Sequence, residues 1–440
     1  MNNVTVAAAV ALALGTATAA QAQNAACAAP DYQLYVAGSS AAKPAFQTAL
    51  ANDLFAGETS YSSSNGDFEA FCGPLSTAGA TATGLNAGSV AIVYYRAEGG
   101  SVVGALPVVS GNPVKFLDLT AAGCNASTTP ATTGTSSSVG TTDGWGGCVT
   151  THGVELGVTD LEPSVFVATA KNYPTAYSTA VFGSASPAQL ATLSNTSIPL
   201  FQQVFGIFVN TSGLNGGGVG QAINLSKETV AAILHGSYAD WSKVPSASGG
   251  AVSSTSQAIA IKNREAGSGT RTGASIYFLG QECTTSPQSL KDGAASNDFY
   301  ATGDVLKAAA SLPGSITYAS IDNQTKQSNL SMVQLSGVTP TNLAAASGQY
   351  DYWFEATAVP GNTSGTTGGI TSAGGQALET FLTGGELQKL ASAPHALDIN
   401  VIPGSFNTAT VPLTSSAGTQ TIYINPFTRG GSCNIPTEQN

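Results

Sequence analysis

Three stretches of this chain combine small residues, hydroxyls and charge in a pattern suited to holding an anion. The first is Ala37-Gly38-Ser39-Ser40-Ala41, the second Gly157-Val158-Thr159-Asp160, and the third Asn263-Arg264-Glu265-Ala266-Gly267-Ser268-Gly269-Thr270. In each a short apolar run gives way to a small-residue turn that opens a helix. The first turn of a helix carries N–H groups with no partner inside it and a partial positive charge, so it attracts oxyanions. Glycine lets the backbone approach closely, and serine or threonine adds a hydroxyl donor. Arg264 lies four residues before Ser268, near enough to present a charged fork to the same anion. Each stretch taken alone also reads as an ordinary cap or turn, with Asp160 as a structural N-cap. Taken together they mark a ligand site at the carboxyl ends of strands.

Elements to position these turns are legible along the chain. Leu34–Ala37, Val90–Tyr95, Val114–Leu117, Val154–Val158, Val204–Val209, Ala258–Lys262 and Ser315–Ala319 read as short strands. Lys43–Leu54, the stretch from Ser226 to His235, the stretch from Gly267 to Leu279, and Gln376–Leu390 read as helices. Ser226 has the type of an N-cap, Glu228 sits in an acidic first turn, and His235 lies at the negative end. Alternating strands and helices predict an α/β fold with mainly parallel sheets. Tyr350–Glu355 reads as a strand against the core, and Trp145, Trp241 and Trp353 as core or turn aromatics. Asn215–Gly220 and Gly361–Gly375 read as surface loops.

Composition narrows the setting. Of 440 residues, 42% are hydrophobic and only 9% charged, far below the roughly 25% usual for soluble domains. With 14 Lys and Arg against 25 Asp and Glu, net charge −11, no basic footprint for nucleic acid exists. Residues Val4 to Ala20 are apolar or small, and Ala20-Gln21-Ala22 has the form of a cleavage site, so residues 1–22 read as a signal peptide and the mature chain as periplasmic or secreted. In an oxidising compartment the six cysteines predict disulfides. The expected pairs are Cys27–Cys72, Cys124–Cys148 and Cys283–Cys433, the middle one closing a Ser/Thr/Gly-rich loop. The three His are scattered and no C-x-x-C occurs, so neither a metal nor a cofactor is expected. No G-x-S-x-G elbow marks a hydrolase.

The chain resembles the periplasmic phosphate-binding proteins of phosphate ABC transporters, within the type 2 periplasmic binding-protein superfamily. Ile261-Lys262-Asn263-Arg264-Glu265-Ala266-Gly267-Ser268-Gly269-Thr270-Arg271 is similar to the family's Arg-x-x-Gly-Ser-Gly-Thr phosphate loop. Leu225-Ser226 through Tyr238-Ala239-Asp240-Trp241 resembles the helix and turn upstream of it. Phe205–Asn210 and Pro313–Tyr318 resemble the two strands that cross between lobes, Tyr35–Pro44 the first anion loop, and Gly157–Asp160 the turn bearing the ligand Asp. These matches run in order from Tyr35 to Tyr318; Ser101–Thr151 and most of the chain after Ser320 match poorly.

The resemblance implies a two-lobed fold, each lobe a mixed, mainly parallel sheet flanked by helices. Lobe 1 would comprise 31–203 plus 320–440 and lobe 2 204–319, with hinge strands near 204–210 and 315–320. It implies a monomeric binding protein, not an enzyme, that holds phosphate or a related oxyanion and serves an inner-membrane ABC permease. Arg264 would pair with the anion. Ser268, Gly269 and Thr270 would donate from one side, and Ser39, Ser40 and Ala41 would cradle the other. Asp160 would accept the proton that phosphate retains and sulfate lacks, because a buried carboxylate facing sulfate would be an unpaired like charge. Two departures stand out. Ala41-Ala42-Lys43 replaces a threonine and an aromatic, and the nearest counterpart of the second Gly/Ser anion loop is Ser62-Ser63-Ser64-Asn65-Gly66. Leaving one buried ligand oxygen unpaired would cost about 1–3 kcal/mol. The competing expectation is a secreted surface or adhesive protein built on the same scaffold, with partners on its Ser/Thr/Gly-rich inserts.

Overall fold

A computed structural model describes residues 27–63, 67–120, 148–166, 182–216, 221–284, 287–291, 298–324, 327–361, 372–383, 401–403, 411–415, 418–422 and 427–438. In chain order the elements that build the site are β1 (Tyr32–Gly38), α1 (Lys43–Ala49), β2 (Thr59–Ser62), β3 (Phe68–Pro74), β4 (Val90–Arg96), β5 (Leu156–Thr159), β6 (Ile198–Asn210), α2 (Lys227–His235), β7 (Ala260–Ile261), β8 (Asn263–Arg264), α3 (Gly269–Leu279), β9 (Asp298–Phe299), α4 (Thr302–Ala310), β10 (Ser315–Ser320), β11 (Trp353–Pro360) and α5 (Ala373–Phe381).

Among the described residues most strands join one eleven-stranded mixed sheet, nine of them in the order β7-β10-β6-β11-β5-β1-β4-β3-β2 and two more, Leu330–Met332 and Val401–Pro403, pairing β6 off this path. The α/β architecture is as expected; the pairing is less parallel. Within this sheet the parallel neighbours are β4-β1-β5 and β7-β10. β2, β3 and β4 pair antiparallel in turn, β10 runs antiparallel to β6, and β11 runs antiparallel to both β5 and β6.

The thirteen-residue β6 links the two parts of the sheet. Its Ile198–Val204 half pairs with β11, and its Phe205–Val209 half pairs with β10. Only 204–209 of this strand had been expected from the apolar run.

The core explains the sequence pattern. On β4, Ala91, Val93 and Tyr95 pack beneath α1 and α5, while Ile92 and Tyr94 join the cluster on the opposite face. A strand covered on both faces has no polar side to show, which is why VAIVYY is continuous rather than alternating. Tyr350, Tyr352, Trp353 and Phe354 are buried as expected, as is Trp241; Trp145 lies outside the described residues.

The helix ends follow the caps. Ser226 caps α2 by accepting from Thr229 N, and Gly236 closes it in the left-handed region at φ 88°. The expected helix 43–54 is α1 followed by a wider π turn over Leu50–Leu54. The helix expected over 376–390 is described as α5, and 384–390 fall outside the described residues.

Two expected disulfides form, Cys27–Cys72 and Cys283–Cys433. Cys148 is disulfide-bonded, while Cys124 lies outside the described residues, as do the expected signal segment 1–22, much of the insert 121–147, and the glycine-rich stretches 217–220 and 362–371. Among the described residues no helix is long and apolar enough to cross a membrane.

Candidate functional site

The first turn of α3 forms one wall of the site. Ser268 is the N-cap, in extended conformation, and its hydroxyl accepts from Arg271 N at 3.4 Å. Gly269 and Thr270 therefore occupy the first two helical positions, whose N–H groups have no carbonyl to reach inside the helix. Among the described residues neither N–H finds an acceptor. Gly267 supplies the turn before the cap at φ 96°, a conformation that side chains resist.

Asp160 faces this turn from the end of β5. A Cβ on Gly269 would collide with Ser101 Oγ and lie 2.6 Å from Asp160 Oδ2. Thr270 Oγ1 is buried and makes no hydrogen bond of good geometry, yet it lies close enough to Asp160 to favour the ionised carboxylate.

The β1–α1 turn forms the opposite wall. Ser39 Oγ accepts from Ala41 N at 3.1 Å and Ala42 N at 2.9 Å, and it donates to Asp160 Oδ1. The Ser39 carbonyl in turn accepts from Tyr95 OH at 2.7 Å. Gly38, at φ 137°, is required here because a Cβ would run into the Val158 carbonyl of β5. Ala41 was expected to offer its N–H to a ligand; that N–H is already given to Ser39 Oγ.

Arg264, on β8, is 1% exposed. Nε donates to Phe299 O at 3.2 Å and Nη2 to Tyr300 O at 2.6 Å. Nη1 donates to Thr302 Oγ1 at 2.7 Å and Ser40 Oγ at 3.2 Å, and Ser40 and Thr302 also bond each other at 2.9 Å. Four of the five guanidinium hydrogens are thereby occupied, leaving one on Nη2. That nitrogen sits 3.4 Å from where a Cβ on Gly100 would lie.

Gly100-Ser101 was not anticipated. The segment from Ser101 onward had been set apart as an unmatched insert, but the short 3-10 turn Gly100–Gly104 is buried and threads between the walls. Ser101 Oγ accepts from Asp160 N at 3.0 Å, and Val102 N donates to Gly267 O at 3.0 Å. A Cβ on Gly100 would lie 3.0 Å from Ser268 Cα. Of the stretch expected at this place, Ser62–Gly66, Ser62 ends β2 and Ser63 follows it. There Ser63 Oγ accepts from Asp67 N at 3.0 Å and Phe68 N at 3.1 Å, and 64–66 lie outside the described residues. The signal that could have found Gly100-Ser101 was an apolar strand, VAIVYY, followed after Arg96-Ala97-Glu98 by Gly99-Gly100-Ser101.

The electrostatics are those of buried carboxyls around one arginine. Burial raises the Asp160 carboxyl, opposed first by the Ser39 hydroxyl and then by the Arg264 charge, Ser101 and Thr270. Asp67 is held well above the usual carboxylate range by burial and by the charges of Glu98 and Asp304, with Lys43 and Arg264 opposing. Burial also pushes Glu265, beside Arg264, up to about 8.

The structure thus brings Ser39, Ser40, Asp160, Arg264, Ser268, Gly269 and Thr270 to one place and adds Gly100, Ser101 and Thr302. Such a site can hold a small, partly protonated oxyanion: N–H groups and hydroxyls donate, one guanidinium balances charge, and one carboxyl exchanges a proton with the ligand.

No family model and no curated protein matches this chain. Among solved structures, a Clostridium perfringens protein described as a phosphate ABC transporter substrate-binding protein, with bound phosphate, aligns over 84% of this chain and 99% of its own, at 11% identity and a TM-score of 0.46. An ABC-type phosphate transport receptor from Vibrio cholerae aligns over 84% and 100%, at 14% identity and a TM-score of 0.42. A phosphate binding protein from Stenotrophomonas maltophilia aligns over 84% and 90%, at 12% identity and a TM-score of 0.42.

Proposed function

We propose that this chain is an exported solute-binding protein that captures an inorganic oxyanion, phosphate first, between two lobes of a type 2 periplasmic binding-protein fold, without turning it over. The observation that carries this reading is the first turn of α3. Among the described residues two N–H groups there lack acceptors, the buried Thr270 hydroxyl makes no hydrogen bond of good geometry, and Asp160 Oδ2 lies beside Gly269. A buried polar group without a partner costs roughly 1–3 kcal/mol, and an oxyanion would satisfy all three at once.

In this reading the anion's oxygens take the Gly269 and Thr270 N–H groups, the Thr270 and Ser101 hydroxyls and the remaining Arg264 N–H. Asp160 Oδ2 accepts the ligand's proton, since Oδ1 is already committed to Ser39. That preference favours phosphate over sulfate. To admit the ligand, 31–203 plus 320–440 would swing against 204–319 about the β6 and β10 crossings, parting the Arg264–Ser40 and Ser40–Thr302 bonds. The mature protein would work as a periplasmic monomer and pass its ligand to an ABC permease.

Isothermal titration of the phosphate-stripped protein tests this. Phosphate should bind at micromolar Kd or better, about −8 kcal/mol, more tightly than sulfate, and Arg264→Ala should lose the binding. Absence of heat and of any thermal shift with either anion at millimolar concentration would overturn it.

A further inference from the structure

The carboxyl-terminal strap, residues 427–434, joins the stretch that follows Asp160 to the stretch that follows α3. Ser432 N donates to Glu162 Oε1 at 2.8 Å and its hydroxyl to Glu162 Oε2, two residues beyond Asp160. Arg429 is 7% exposed; its Nε donates to Trp353 O at 2.8 Å and its Nη2 to Asp351 O, and the guanidinium lies 5.0 Å from the centre of the Trp353 ring and 4.9 Å from that of Phe354. Thr428 Oγ1 donates to Glu355 Oε1 at 2.6 Å. One residue past Ser432, Cys433 is bonded to Cys283, four residues beyond the end of α3.

The segment gripped by Arg429 is also the one on which α3 rests. Tyr277 donates to Asp351 Oδ1 and stacks on Tyr352 at 4.8 Å, Phe278 meets Tyr352 edge-on at 5.0 Å, and a Cβ on Gly273 would lie 2.8 Å from the Phe354 ring. Tyr352 O and Tyr350 OH bond Phe205 N and O, at the point where β6 passes from one partner strand to the other. Beside Cys283, Glu282 is held in the left-handed region at φ 64°, which costs a residue with a side chain of the order of a kilocalorie per mole in the absence of outside support.

We infer that residues 427–434 form a clasp locked by the Cys283–Cys433 bond, which pins the far end of α3 to the wall that carries Asp160, and that reduction of this one disulfide releases α3. Access separates this bond from Cys27–Cys72. Cys433 is exposed and Cys283 half-buried, whereas Cys27 and Cys72 are 4% and 0% exposed. Thiol–disulfide exchange needs the attacking thiolate to reach a sulfur in line. A thiolate of a dithiol reductant attacks Cys433 Sγ and expels the Cys283 thiolate. The second thiolate of the reductant then attacks the reductant's own sulfur in the mixed disulfide and frees Cys433. The reductant leaves as a disulfide, and each cysteine gains one electron and one proton.

The test uses the folded full chain in anion-free buffer, so its outcome is independent of any ligand. Dithiothreitol is titrated under native conditions, with differential alkylation read by mass spectrometry. Cys283 and Cys433 should label at least tenfold faster than Cys27 and Cys72. In the selectively reduced protein, amide hydrogen exchange across Gly269–Leu279 and Tyr350–Phe354 should rise at least tenfold, with β1 and β4 unchanged. Cys433→Ser should reproduce the exchange pattern; the reduced wild-type chain serves if that variant does not fold. Equal labelling of both disulfides, or unchanged exchange in α3 after selective reduction, would overturn the proposal.

Discussion

Ser39 and Asp160 meet across the β1–β5 pair in an arrangement that leaves the serine a single choice. Its oxygen accepts the N–H groups of Ala41 and Ala42, so its one hydrogen goes to Asp160 Oδ1. The bond fixes the carboxylate rotamer and leaves Oδ2 facing the first turn of α3. One hydroxyl thus holds the turn that leads into α1 and orients the acid of the candidate site.

Ser39→Ala should therefore act on stability and binding together. It strips two backbone donors and a buried carboxyl oxygen of their shared partner, all in a region closed to water. Chemical denaturation should show a loss of about 2–3 kcal/mol, the cost of leaving buried polar groups unpaired. A loss below about 0.5 kcal/mol would mean that the turn is not held as described.

Arg264 separates charge from geometry. Arg264→Lys keeps the charge but cannot hold the Phe299 and Tyr300 carbonyls and still face a ligand. A charge-assisted hydrogen bond is worth about 1.5–3 kcal/mol, so phosphate affinity in Arg264→Lys should fall about 10- to 150-fold by titration. Undiminished affinity would remove Arg264 from the site.

How much of this was readable from sequence divides by distance along the chain. The α3 wall was legible because Arg264, Ser268, Gly269 and Thr270 lie on one continuous stretch whose cap, glycine and helix pattern agree. The β1 turn was legible for the same reason, whereas Asp160, expected to open a helix, follows β5 and leads into a short 3-10 turn, Pro163–Val165, with Glu162 at its N-cap. The carbonyls that orient Arg264 come from Phe299 and Tyr300, more than thirty residues later, and no local pattern announces them. Gly100-Ser101 escaped because no helical pattern begins there; the chain makes one short 3-10 turn. Ser62–Gly66 has the composition of an anion loop, but of its described residues Ser62 belongs to β2 and the Ser63 hydroxyl is spent on Asp67 N and Phe68 N, contacts that composition does not announce.

Glycine packing supplies a paired prediction. A Cβ on Gly269 would collide with Ser101 Oγ and crowd Asp160, whereas one on Gly303, in the first turn of α4, meets nothing within 4 Å. Gly269→Ala should lower the melting temperature by several degrees and weaken phosphate binding at least tenfold. Gly303→Ala should leave binding intact and stabilise by up to about 1 kcal/mol, the helix preference of alanine over glycine. Thermal melts with and without phosphate distinguish them.

Glu265 predicts a pH dependence of affinity. Burial keeps its carboxyl largely neutral up to about 8. Above that pH a new negative charge appears beside Arg264, worth about 1 kcal/mol against an anion at this range. The ratio of phosphate affinities between Glu265→Gln and wild type should be near one at pH 7 and rise to about fivefold at pH 9. Comparing the two proteins at each pH cancels the ligand's own titration, and a constant ratio would exclude Glu265 as the source.

Glu155 predicts a pH dependence of stability with no ligand present. Its carboxylate accepts Tyr35 N at 3.0 Å, and burial, with a smaller push from Glu379, raises it from 4.5 to about 7. A carboxyl with a raised folded-state value binds its proton more tightly when folded. Its contribution is therefore fully present below pH 4.5, declines as pH rises, and is lost above about 7. The shift corresponds to about 3 kcal/mol. Glu155→Gln keeps an acceptor for Tyr35 N without the buried charge. It should match wild type near pH 4.5, exceed it by about 2 kcal/mol at pH 8, and flatten the profile between. Parallel denaturation curves at the two pH values would show instead that water reaches the carboxylate and that its burial carries no penalty.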